Sequence, residues 1–66
     1  MATQTKRVLV TIGTGFEEIE TITTVDVLRR AQIETVLVSV HGKDHPLLLK
    51  GRGGIHVQCD GVSTIF

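Results

Sequence analysis

The sequence predicts an α/β fold, a parallel β-α-β unit followed by a β-hairpin, forming the N-terminal portion of a larger domain. Three observations carry this. Val8-Leu9-Val10-Thr11-Ile12 is a short, β-branched run with almost no polar interruption, residues 16–31 have the length and spacing of a helix, and residues 34–40 form a second β-rich run. A strand, a helix and a strand in that order imply a right-handed parallel crossover.

Size argues that the unit does not stand alone. The chain has 66 residues, and a domain so small removes only about 60% of its unfolded surface from water. Ordering its backbone costs roughly 1–2 kcal/mol per residue. Small proteins usually offset that cost with disulfides or a metal, yet Cys59 is the single cysteine, so neither an internal disulfide nor a four-cysteine site can form. The first strand is apolar on both faces, which suits the middle of a parallel sheet covered by helices on both sides. Residues 1–66 are therefore expected to be the N-terminal portion of one domain whose remainder lies outside this chain, either as a second polypeptide left by cleavage or because the sequence is incomplete. The apolar end at Ser63-Thr64-Ile65-Phe66, with no closing helix, fits that expectation.

Charge and composition exclude several classes. Seven Lys+Arg balance seven Asp+Glu, the charges are scattered, and the only aromatics are Phe16 and Phe66. Neither a basic surface nor a base-stacking platform is available for nucleic acid. No apolar run approaches the roughly 20 residues of a membrane helix, and Met1 to Lys6 lack the apolar core of a secretory signal. A cytoplasmic chain with neither nucleic-acid nor membrane partners is expected.

Each element has its own signals. Gly13-Thr14-Gly15 ends the first strand, and Thr14-Gly15-Phe16-Glu17 has capping-box spacing, which predicts a helix starting near Gly15. At 100° per residue, Phe16, Glu20, Thr23, Val27 and Ala31 share an inward stripe, which would bury Glu20, and Ile19, Ile22 and Val25 form a second apolar stripe. Asp26 can pair with Arg29 or Arg30. Residues 41–46 read as a polar turn, 47–50 as a short strand, 51–54 as a glycine turn and 55–59 as the returning strand.

Four constellations could carry chemistry. The strand-Gly13-Thr14-Gly15-helix junction invites a dinucleotide, but Glu18 stands where a glycine is wanted and Glu17, Glu18 and Glu20 would repel phosphate. Glu17 and Glu18 have the simpler reading of carboxylates favouring the helix dipole and completing a cap. Glu20 differs, because a carboxyl on the inward stripe either finds a charged partner or stays protonated, and the inert alternative is an acid bonded to backbone. His41 and His45 are four apart, as on a zinc-binding helix, but they lie in a turn beside Pro46 where helical spacing has no meaning; with His56 they read as loop or strand histidines. Cys59, at a strand end with no identifiable base, reads as structural. No metal and no cofactor are implied.

The blocks Lys6-Arg7-Val8-Leu9-Val10, Gly15-Phe16-Glu17-Glu18-Ile19-Glu20-Thr21 and Val25-Asp26-Val27-Leu28-Arg29-Arg30-Ala31 resemble the start of the ThiJ/PfpI family. The resemblance implies a flavodoxin-like three-layer sandwich about three times this length, usually a homodimer, with a reactive cysteine on a strand-to-helix elbow beyond Phe66. It implies that Glu20, the last acid of the E-E-x-E block, hydrogen-bonds that thiolate. It also places Gly15, Glu17 and Arg52 at the substrate pocket and Ile19 and Ile22 in a dimer interface. Glyoxalase or deglycase chemistry on a small carbonyl substrate follows, with a non-enzymatic chaperone or interaction module as the alternative. Gln32 stands where family members commonly have the glycine that ends the helix.

Overall fold

The computed structural model describes residues 6–63. The element order is β1 (Arg7–Ile12), α1 (Glu18–Arg30), β2 (Glu34–Ser39), β3 (Leu48–Lys50), β4 (His56–Gln58) and β5 (Gly61–Val62). β1 and β2 run parallel in the register Arg7↔Glu34 to Ile12↔Ser39. The predicted crossover is therefore present, with α1 as its connection.

One feature of the sheet departs from expectation. A short fifth strand, β5, pairs parallel with the end of β2, so the order is β1-β2-β5 and β2 holds the centre. β1 has one strand neighbour among the described residues, and Leu9 is correspondingly exposed. Two residues leave too little periodicity to announce β5 as a strand. The hairpin formed as expected, with β3 and β4 antiparallel and Leu49 opposite Val57.

In a parallel pair, register partners share a face, so Val10 and Leu37 lie on the same side as Ile12 and Ser39. Ile12, Phe16, Val25, Leu37, Leu49 and Cys59 make the buried core, with Val10, Leu47 and Val57 packed against it. One cluster thus ties the sheet, the helix and the hairpin together.

The helix is shorter and turned differently from the sequence expectation. It begins at Glu18, and its N-cap Glu17 makes no side-chain capping bond. Gly15 adopts φ +89° and donates its N–H to Lys50 O at 2.9 Å, so the chain is drawn toward the hairpin before it can coil. The Thr14 hydroxyl, 3.2 Å from His41 Nε2, is engaged elsewhere. Val25 is the buried residue of α1, flanked on that face by the half-buried Thr21 and Leu28. Glu20, Thr23, Val27 and Ala31 are exposed. The predicted inward stripe starts at Phe16, which lies outside the helix, so its angle says nothing about the face that follows.

The C-terminus of α1 closes as a Schellman motif. Ile33 N–H reaches Leu28 O at 3.0 Å and Gln32 N–H reaches Arg29 O at 2.9 Å, with Gln32 in the left-handed region at φ 62°. A side chain there costs roughly 1–2 kcal/mol relative to glycine, part of which glycine returns as unfolded-state entropy. Gln32→Gly is expected to stabilise the fold by about 0.5–1 kcal/mol, read as a higher urea midpoint.

Candidate functional site

The residues expected around the pocket converge where the carboxyl end of β1 meets the hairpin turn. Gly15 N donates to Lys50 O at 2.9 Å, and Arg52 N donates to Phe16 O at 2.9 Å. These backbone bonds bring the start of α1 against the 51–54 turn. Arg52 Nη1 then reaches Glu17 Oε1 at 3.1 Å. An ion pair this exposed contributes at most about 1 kcal/mol, so the backbone bonds, and not this pair, hold the junction.

Glu18 is the residue whose part here went unread in the sequence. Its Oε2 accepts the N–H of Gly53 at 2.7 Å and that of Ile55 at 3.2 Å. A Cβ on Gly51 would lie 2.6 Å from Glu18 Cδ, so the carboxylate occupies the space that a side chain would need. Loss of water around the carboxyl pushes its pKa up, but the bonds from its own N–H, Ile55 and Gly53 outweigh this and leave it below the ordinary carboxylate value. It is therefore an anion at neutral pH. The readable signal was Gly51-Arg52-Gly53-Gly54, where glycine on both sides of an arginine marks a turn on which something presses closely.

Glu20 sits in the first turn of α1, exposed, with no side-chain hydrogen bond or ion pair among the described residues. The expected burial is therefore not present within residues 6–63. Of the three carboxylates of the E-E-x-E block, two are engaged by the hairpin and the third is open. Ile19 and Ile22, the expected interface residues, are also exposed, Ile19 at 79%.

The histidines hold the neighbouring turn. His41 Nε2 accepts the Thr14 backbone N–H at 2.9 Å and stacks on His45 with ring centroids 4.4 Å apart. No group of three or more potential metal-ligating side chains forms among the described residues. Cys59 is buried and free; burial, then the Asp60 carboxylate, push its thiol pKa up. A thiol held protonated is a poor nucleophile. Labelling of Cys59 by a thiol reagent at neutral pH is expected to be slow in the native protein and to accelerate at least about tenfold on unfolding in urea.

Away from these residues, a concavity of about 300 Å³ opens between α1, β2 and β4, lined by Ile22, Val25, Leu37 and Val57 with Arg29 and Asp60 at its polar side. Apart from Ile22 it contains none of the expected site residues. No helix of the described residues is long and apolar enough to cross a membrane.

A parallel β-α-β unit with a glycine turn at the carboxyl end of its first strand defines an α/β protein, and the likeness to the solved structures below makes the fold flavodoxin-like. The profile of the DJ-1/PfpI family matches residues 6–64. The chain belongs to the DJ-1/PfpI family. It is similar to a DJ-1 superfamily protein of Salmonella typhimurium, solved with a cysteine-to-alanine substitution, at 30% identity and a TM-score of 0.79 over 86% of this chain and 29% of that one. It is also similar to oxidised Toxoplasma gondii DJ-1, at 33% identity and a TM-score of 0.79, covering 86% of this chain and 29% of that one. This chain thus spans less than a third of the length of those relatives. No curated protein matches it.

Proposed function

We propose that this chain contributes the acidic residue of a cysteine-dependent enzyme that acts as a glyoxalase or deglycase on 2-oxoaldehydes or their adducts. The observation that supports this is Glu20, a carboxyl fixed on the first turn of α1 and without a side-chain partner among the described residues, while Glu17 and Glu18 are held. In open α/β sheets, ligands bind outside the carboxyl ends of the strands, which is where this acid lies. The reactive cysteine belongs to the part of the domain outside these 66 residues. Its thiolate adds to the aldehyde carbon, and the carbonyl oxygen takes a proton as the new C–S bond forms. Glu20 hydrogen-bonds the sulfur in the resting state and moves protons in the reaction, as acid and then base. Gly15, Glu17 and Arg52 border the pocket, and Ile19 and Ile22 face a second copy in a homodimer.

Glu20→Gln tests this reading. In the full-length protein it is expected to lower kcat for a 2-oxoaldehyde by about 10²–10⁴-fold while leaving the melting temperature unchanged. Unchanged turnover would remove Glu20 from the chemistry. A second reading rests on the exposure of Ile19, Ile22 and Val27 along α1: a non-enzymatic chaperone or interaction module. It gains if the wild-type protein turns over no carbonyl substrate yet suppresses aggregation of an unfolded client.

A further inference from the structure

An acid in the first turn of a helix is ordinarily explained by the helix dipole. That explanation fits Glu20 but does not account for Glu18, because it does not require amides from a turn 35 residues along the chain. The Gly53 and Ile55 N–H groups both point at one oxygen of Glu18, and Gly51 lies against the same carboxyl. Gly53 is close as well, since a Cβ there would be 3.0 Å from Oε2. Arg52 is the one residue of the 51–54 turn that carries a side chain. Its flanking positions rest on Glu18, its backbone N–H on Phe16 and its guanidinium on Glu17.

We infer that Glu18 is a positioning residue, a mould on which the 51–54 turn is shaped, so that Arg52 is aimed at a fixed place relative to Glu20. Glu18 and Glu20 share one rigid helical turn, so whatever binds Glu18 is registered to Glu20 as well. Without the carboxylate, a turn with three glycines would sample many backbone states, and the guanidinium would be spread over them. Arg52 would then meet an oxygen of the carbonyl substrate less often in the productive geometry, which weakens binding more than it slows the proton transfers at Glu20. This inference rests on the reading of Arg52 as a pocket residue.

The shared oxygen suggests the experiment. A glutamine carbonyl can replace Oε2 as acceptor for both amides, whereas alanine cannot. In the full-length protein, Glu18→Ala is expected to accelerate hydrogen exchange at the Gly53 and Ile55 amides by at least about tenfold and to raise KM about tenfold with kcat within about twofold. Glu18→Gln should restore both. If the alanine variant does not fold, Gly51→Ala serves instead, because its Cβ drives the carboxyl away and should reproduce the exchange and KM changes. Unchanged exchange in Glu18→Ala, a glutamine variant that behaves like alanine, or a loss confined to kcat would each overturn the inference. If the wild-type protein shows no turnover, the enzymatic reading fails; the exchange rates and the line width of the Arg52 Nε–H signal still decide the role of Glu18.

Discussion

Leu49→Ala is expected to destabilise the protein by roughly 2–5 kcal/mol. Leu49 is 1% exposed and is the buried member of β3, with exposed Leu48 and Lys50 on either side. Its side chain joins the hairpin to Ile12, Phe16, Val25 and Leu37, so truncation leaves a cavity at the junction of sheet, helix and hairpin. In a core this small the surroundings have few alternative packings with which to fill the void. Urea denaturation should show a lower midpoint with an unchanged slope. A loss under about 1 kcal/mol would mean that the backbone bonds of the 51–54 turn, and not the core, hold the hairpin in place.

Asp60→Ala is expected to cost about 1–3 kcal/mol through a different mechanism. Asp60 Oδ2 accepts the backbone N–H of Leu37 at 2.8 Å, and Asp60 N–H donates to Leu37 O at 2.7 Å, so one residue satisfies both main-chain groups of a central-strand position. The same oxygen takes Arg29 Nη2 at 2.9 Å, and Arg29 also donates to Thr35 O at 3.0 Å. Removing the carboxylate leaves a part-buried N–H without its acceptor and a guanidinium without its anion. Asp60→Asn keeps an acceptor oxygen and should lose less. A double-mutant cycle with Arg29→Ala should show a coupling of about 0.5–3 kcal/mol; additive losses would indicate that water replaces the bond to Arg29.

The contrast between Arg29 and Arg30 shows what sequence spacing can and cannot resolve. Asp26 was compatible with either, and it pairs with Arg30 four residues on, at 3.0 Å. Arg29 turns instead to Thr35 and Asp60, partners that only the tertiary fold supplies. The same division runs through the fold. β1, α1, β2 and the hairpin were legible because β-branched runs, helical length and glycine turns are local signals. β5 and the shortened helix start were not, because both depend on bonds to distant residues, β5 on Val38 and Ser39 and the helix start on Lys50.

In the candidate site, the motif resemblance singles out Glu20, and the burial that spacing assigns to it is not present within residues 6–63. Phe16 precedes the helix, so helical spacing counted from it does not carry through to Glu20. Glu18 escaped notice because its partners are backbone amides, which no residue-type pattern reveals. For Gln32, the resemblance marks a position where relatives commonly have glycine, which leaves the left-handed conformation to be either adopted or avoided, and the backbone adopts it at φ 62°.

The strand order has a consequence for how this polypeptide behaves in solution. With β2 between β1 and β5, the outer edge of β1 presents unpaired main-chain groups along a β-branched segment, within the described residues. Such an edge templates the addition of further strands, and a formal net charge of zero gives little colloidal repulsion to oppose it. Lys6 and Arg7 at its start are the gatekeepers. Whatever covers that edge therefore governs solubility, and uncovered chains would be drawn toward edge-to-edge aggregation.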